Sequence, residues 1–252
     1  MNEVLKLCRA EEEIAHIRGW DFSHIDGRHR EIGGLPWDYK GEVLKRLTPR
    51  MRLLDLDTGG GEVLLSLGHP YGLTAATENY PPNVKLCREK LLPLGIDFKK
   101  ADVKAGLPFE DESFDMVIDR HGDLNPREIH RVLKEGGVFI TQQVGADNDR
   151  ALVRLLLGKD APPTPFPDQH LDIQTKMFTE AGFTVERAEE CFRPIRFYDV
   201  GALTWFARII EWEFKGFSVE AHGENLLKAH KIIEEKGFVE GQTHRFFMVC
   251  RK

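Results

Sequence analysis

At residues 53–62 the chain reads LLDLDTGGGE, an apolar run that stops at three consecutive glycines and resumes as a helix-forming segment. A strand that ends in glycines and opens a helix presents bare backbone N–H groups and leaves room for a ligand to approach them. Such a turn belongs to βαβ architecture, and the chain repeats the alternation around it. Apolar strand segments are expected at 52–56 (RLLDL), 73–77 (LTAAT), 96–100, 114–119 (FDMVID) and 138–144 (VFITQQV). Helices are expected from Glu62, from Pro81-Pro82 to about residue 92, and from an Asn125 cap with Pro126 in the first turn. Glu135-Gly136-Gly137 reads as the stop of that third helix. Strands alternating with helices at this spacing imply a parallel sheet covered on both faces.

Beyond residue 146 the pattern predicts helices over 147–157, 171–181, 200–213 and 219–236, with strands at 183–187 and 243–250. The prolines of 162–167 make a loop, and the first 49 residues read as helical and irregular, with aromatic clusters at Trp20 and at Trp37 and Tyr39. A single domain is expected: an N-terminal helical cap or lid at 1–49, a core at 50–197 and 238–252, and a helical insertion at 198–237.

A chain of 252 residues can bury one large core. Its net charge of -6 and pI near 6.0 disfavour nucleic acid and anionic membranes as bulk partners. No apolar run approaches the ~18 residues that span a bilayer. The N-terminal stretch carries Glu11-Glu12-Glu13 and no apolar core of a secretory leader. Cys8, Cys87, Cys191 and Cys250 form no CxxC pair, which fits reduced thiols and a cytoplasmic location. Histidines are scattered without ligand spacing, so no metal site is expected.

The ligand class follows from where the acids fall. A dinucleotide turn needs a third glycine where this chain has Leu64, so that match fails. A ligand with an amino-acid end, a ribose diol and an adenine has other needs. Asp55 at the end of the first strand can bind an ammonium, and Glu78 at the end of the second can accept both ribose hydroxyls. Asp102 after the third can accept from the adenine amino group. Each acid alone has a plainer role: a turn cap at Asp55, a solvated loop residue at Glu78, an Asx-turn at Asp102. Together they converge on the carboxyl edge of one sheet, where ligands bind in such folds.

With these residues in place, 50–145 resembles the core of class I S-adenosylmethionine-dependent methyltransferases, particularly the ubiquinone/menaquinone-biosynthesis group. The resemblance rests on LLDLDTGGG, ATEN, KADV, LPFEDESFDMVIDRHG and IHRVLKEGGVFITQQV. It implies a Rossmann-like α/β fold, with a seven-stranded, mostly parallel sheet and an antiparallel last strand. It also implies S-adenosylmethionine as cofactor and S-adenosylhomocysteine as product. Contacts are implied at Asp55, Asp57, Thr58, Gly59, Gly61, Glu78, Asn79, Asp102 and Val103, with Arg120 and His121 following the fourth strand. The chain departs from the family pattern at Asp57, where glycine is usual, and at Thr58, where a small residue or cysteine is common.

Methyl transfer from a sulfonium is an in-line displacement that works mainly by orientation, with a base added only for an acidic acceptor. His121 is the candidate base, the alternative being a packing or loop-bonding role. Asn125-Pro126-Arg127-Glu128 lacks the second proline and aromatic of the N-P-P-Y motif and reads as a cap. Trp20, Trp37 and Tyr39 suit either a lid or core. Trp205, Phe206, Trp212, Phe214 and Phe217 suit core, a pocket lining or a dimer surface, and His244-Arg245-Phe246 either reach the site or lie on an edge strand. A small-molecule acceptor is the leading reading. An RNA or protein methyltransferase and a non-catalytic S-adenosylmethionine-binding protein are the alternatives, and the oligomeric state, monomer or homodimer, stays open.

Overall fold

The computed structural model describes residues 2–16 and 22–252, so Trp20 lies outside the described residues. Eight strands run β1 (His29–Glu31), β2 (Leu53–Leu56), β3 (Thr74–Glu78), β4 (Asp97–Lys100), β5 (Phe114–Arg120), β6 (Leu133–Val144), β7 (Thr184–Phe197) and β8 (Val239–Arg251). The helices are α1 (Glu3–Ile14), α2 (Tyr39–Leu44), α3 (Glu62–Ser66), α4 (Pro81–Lys90), α5 (Pro126–Val132), α6 (Arg150–Leu157), α7 (Leu171–Glu180), α8 (Val200–Ile209) and α9 (Val219–Lys236).

Hydrogen bonding orders the strands β1-β7-β8-β6-β5-β2-β3-β4. The pairs β2–β3, β2–β5, β3–β4 and β5–β6 are parallel, and β8 runs antiparallel to β6. This is the expected mostly parallel sheet with an antiparallel last strand. The short β1, antiparallel to β7, is an eighth strand drawn from the N-terminal segment. β8 lies between β7 and β6, so the edge-strand alternative for His244-Arg245-Phe246 is corrected.

The chain divides into two compact units. One comprises 35–144, 168–190 and 245–252 and holds the parallel strands. Its β2 is buried at all four positions, as a parallel strand between two neighbours must be. Its core joins Leu54, Leu56, Val117, Phe139, Phe178 and Met248, with Phe139 and Phe178 stacked at 5.1 Å.

The other unit comprises the described residues of 1–34 with 145–167 and 191–244. Within it α8 is buried along nearly its whole length and is capped by Asp199, whose Oδ1 accepts from Ala202 N at 2.8 Å. Trp205, Phe206, Phe214 and Phe217 are core residues of this unit, whereas Trp212 is 36% exposed. His244 stacks on Phe192 at 4.2 Å and is fully buried. Arg28 ties α1 to α8 through Glu11 and Asp199, at 2.8 and 2.7 Å.

Candidate functional site

The carboxyl ends of β2, β3, β4 and β5 lie side by side. Asp55 pairs with Ala76 and Ile118, Glu78 with Lys100, and Leu56 with Asp119. Every acid read from the sequence therefore falls on one edge of one sheet.

After β2 the backbone turns left-handed at Asp57 (φ 46°), Gly59 (φ 63°) and Gly61 (φ 76°). Gly61 caps α3, and a β-carbon there would strike Leu91 Cδ2 at 2.8 Å, so the position needs glycine twice over. Asp57 takes a conformation that glycine adopts at no cost, which accounts for glycine being usual at this place. Here the strain is offset by a hydrogen bond, Asp123 N donating to Asp57 Oδ2 at 2.9 Å. Gly122 permits the approach, since a β-carbon on it would meet Asp57 Cβ at 2.6 Å and Asp119 Oδ1 at 2.8 Å. Thr58 donates to Asp55 Oδ2 at 2.6 Å.

Glu78 is the hub of this edge. Its Oε1 accepts from Asn79 N and Tyr80 N at 2.9 and 2.8 Å, and its Oε2 from Gly59 N at 2.9 Å and Asn83 Nδ2 at 3.3 Å. Two α4 side chains hold the carbonyls of the glycine turn: Cys87 Sγ donates to Gly59 O at 3.0 Å and Lys90 Nζ to Gly60 O at 2.8 Å. Asp102 makes the Asx-turn foreseen as its plainer role, accepting from Lys104 N at 2.9 Å. Val103 is buried beside it, and its carbonyl accepts from Asn125 Nδ2 at 3.2 Å. Asn125 also caps α5, receiving Glu128 N at 3.3 Å.

The electrostatics are those of crowded anions. Burial pushes Asp55 up to about 7, with Asp57 and Glu78 adding to the rise. Burial likewise pushes Asp57 up to about 6, reinforced by Glu78, Asp123 and Asp102. Asp119, fully buried, is raised well above the ordinary range by burial and by Asp57 and Asp55. Burial and the same acids raise the Tyr39 hydroxyl. Three buried oxygens here lack a hydrogen-bond partner of good geometry: Tyr39 Oη, Thr77 Oγ1 and Asp119 Oδ2. The Asp119 backbone lies against Tyr39 Oη and acts in the lowering direction, against burial and the nearby carboxylates. A cluster of acids with unsatisfied oxygens calls for a cationic ligand bearing donors.

Arg120 is exposed at the end of β5, and His121 follows it at φ 69°. His121 N donates to Gln142 O at 2.9 Å, and its Nε2 lies 3.1 Å from Gln142 Nε2. Gln142 Oε1 accepts from Trp37 Nε1 at 2.8 Å, and Trp37 stacks on Phe247 at 5.7 Å. Trp37 and Tyr39 are thus core in packing and site-facing in their polar atoms. Two aspects of the His121 surroundings pull apart. By surface area the residue is exposed, yet protein mass closes round the ring. Surface area governs access. The surrounding mass governs charge, holding the ring well below the ordinary histidine range, with Arg245 and Arg120 acting the same way.

Sequence reasoning missed Asn83, Cys87, Lys90, Asp119 and Gln142. Asp119 carries a readable signal, an acid that directly follows the apolar run Met116–Ile118 near the end of β5. The others sit in unremarkable contexts and are brought in by packing alone.

Residues 54–141 match the family model described as a methyltransferase domain. A phthiotriol/phenolphthiotriol dimycocerosates methyltransferase of Mycobacterium tuberculosis is 32% identical over 115 residues, covering 38% of this chain and 42% of that protein. The match thus spans about two-fifths of the length of that curated relative. Among solved structures, a candidate methyltransferase from Bacillus halodurans C-125 is 20% identical, with a TM-score of 0.58 over 84% of this chain and 98% of that one. A protein of unknown function from Deinococcus radiodurans R1 is 14% identical, with a TM-score of 0.61 over 88% and 90%. Both likenesses concern the fold.

Proposed function

We propose that this chain, whose residues 54–141 match a methyltransferase domain and whose fold is similar to that of a candidate methyltransferase, is an S-adenosylmethionine-dependent enzyme that methylates a small-molecule acceptor. When bound, S-adenosylmethionine supplies a sulfonium-activated methyl group that leaves in line toward the acceptor atom. One observation carries the reading: Asp55, Glu78 and Asp102 stand at the carboxyl ends of three adjacent strands, around a glycine turn.

In this reading Asp55, Asp57 and Asp119 hold the cationic amino-acid end, with Thr58, Gly59 and Gly61 lining it. Glu78 takes the ribose hydroxyls in exchange for some of its four present donors. Asn79, Asp102 and Val103 flank the adenine. Arg120 and His121 face the acceptor side, where His121 either removes a proton or donates a hydrogen bond. The net charge of -6 favours a small acceptor over nucleic acid. The relative's name, which specifies phthiotriol and phenolphthiotriol dimycocerosates, supports screening hydroxylated apolar compounds first.

Calorimetric titration with S-adenosylmethionine and S-adenosylhomocysteine tests the cofactor assignment. Binding of either is expected in the wild type, and Glu78→Gln should weaken it by about 10- to 100-fold, the worth of hydrogen bonds to a charged group. Absence of binding by the folded wild type would sink the cofactor reading. Unchanged affinity in Glu78→Gln would sink the ribose role alone.

A further inference from the structure

The orientation of one buried amide decides what His121 can do. Trp37 Nε1–H donates and cannot accept, so the Gln142 atom that meets it at 2.8 Å is the carbonyl oxygen. The other end of that amide, a pure donor, then faces His121 Nε2 at 3.1 Å. Nε2 must therefore give its lone pair to Gln142, and the ring proton must sit on Nδ1.

We propose that Trp37 and Gln142 hold His121 as the neutral Nδ1–H tautomer, which makes it a hydrogen-bond donor to an oxygen of the acceptor and not a base. This rests on the methyltransferase reading for the identity of the oxygen, while the tautomer stands on the relay itself. A base needs a free lone pair. Nε2 has committed its own to the amide, and Nδ1 bears the proton.

Several features keep the relay in one state. Gln142 is 3% exposed and Trp37 6%, so flipping the amide would strand a buried indole N–H. The backbone of His121 also bonds to Gln142, at 2.9 Å, and its left-handed φ of 69° returns the ring toward the same residue. Nδ1 makes no hydrogen bond among the described residues and the residue is exposed by surface area, which leaves its N–H for a ligand. The charged groups that act on the ring are Arg120 of β5 and Arg245 of β8, and both oppose a second proton.

Long-range ¹H–¹⁵N correlation spectra of the full chain, labelled at histidine, read the tautomer directly. His121 is assigned by its loss in His121→Gln. The wild type is expected to show Nδ1 protonated and Nε2 unprotonated, without titration between about pH 5.5 and about pH 8.5, the range in which free histidine titrates. Gln142→Glu should move the proton to Nε2, since a carboxylate accepts from both Trp37 and the ring, and should raise the pH at which the ring charges. Gln142→Leu should free Nε2 and let the ring take a second proton more readily. A wild-type ring protonated on Nε2, or one titrating near the ordinary value of about 6.5, would overturn the proposal. A proton that stays on Nδ1 in folded Gln142→Glu would do the same. None of these spectra needs cofactor or acceptor, so failure to bind S-adenosylmethionine and failure of the relay are separate results.

Discussion

Asp55 keeps its proton to about pH 7, whereas an aspartate in an unfolded chain releases it near 3.8. Between those values the folded state binds more protons than the unfolded state, so its stability declines as pH rises through that window. Asp55→Asn should therefore flatten the decline and raise the urea midpoint at pH 8, by about 1–3 kcal/mol in stability. An unaltered pH slope in that variant would remove Asp55 from the account. The same ionisation has the opposite sense for a cationic ligand. Affinity of the wild type for S-adenosylmethionine should rise from about pH 6 to about pH 8 and then level, as calorimetry at several pH values would show. Asp55, Glu78 and Asp102 were legible because each falls at or just beyond the carboxyl end of a segment that alternation marks as a strand. Tyr39, Asp119 and Gln142 were not legible as a group, because only the pairing of β5 with β6 and the placing of α2 bring them to that edge.

Among the elements, α4 does more than cover the sheet. It reaches back to the glycine turn through Cys87 and Lys90, and Lys90 also meets Glu62 at 2.9 Å in the first turn of α3. Removing one such bond costs about 1 kcal/mol. Lys90→Met should accordingly weaken S-adenosylhomocysteine binding by roughly 3- to 10-fold and speed amide exchange at the turn, with little change in Tm. Unchanged exchange would mean that Lys90 merely decorates the surface. At this scale the βαβ core was readable from alternation and caps, and three boundaries were not. Glu135-Gly136-Gly137 lies inside β6, because Leu133 already pairs with Phe114 before the register shifts. β7 extends well past 183–187, since its charged alternation over TVERAEECFRPIRF marks a half-exposed strand with little apolar signal. β8 begins at Val239 for a similar reason: Glu240, Gly241 and Gln242 carry little apolar signal ahead of the run that the prediction followed.

For the molecule as a whole, no helix of the described residues is long and apolar enough to cross a membrane, and the net charge is -6. The two outermost strands give the sheet a further property. β1 is three residues long, and β4 is four residues with Asp97 and Lys100 exposed. A strand with unpaired N–H and C=O groups is a template for another chain, and brevity and charge are the usual protections. Replacing both Asp97 and Lys100 with valine should leave thermal unfolding nearly unchanged and increase light scattering on incubation at about 37 °C. If scattering does not rise, brevity alone protects β4. The edges thus bear on how densely the protein can be held in solution before copies begin to stack, a colloidal limit set far from the methyl-transfer chemistry.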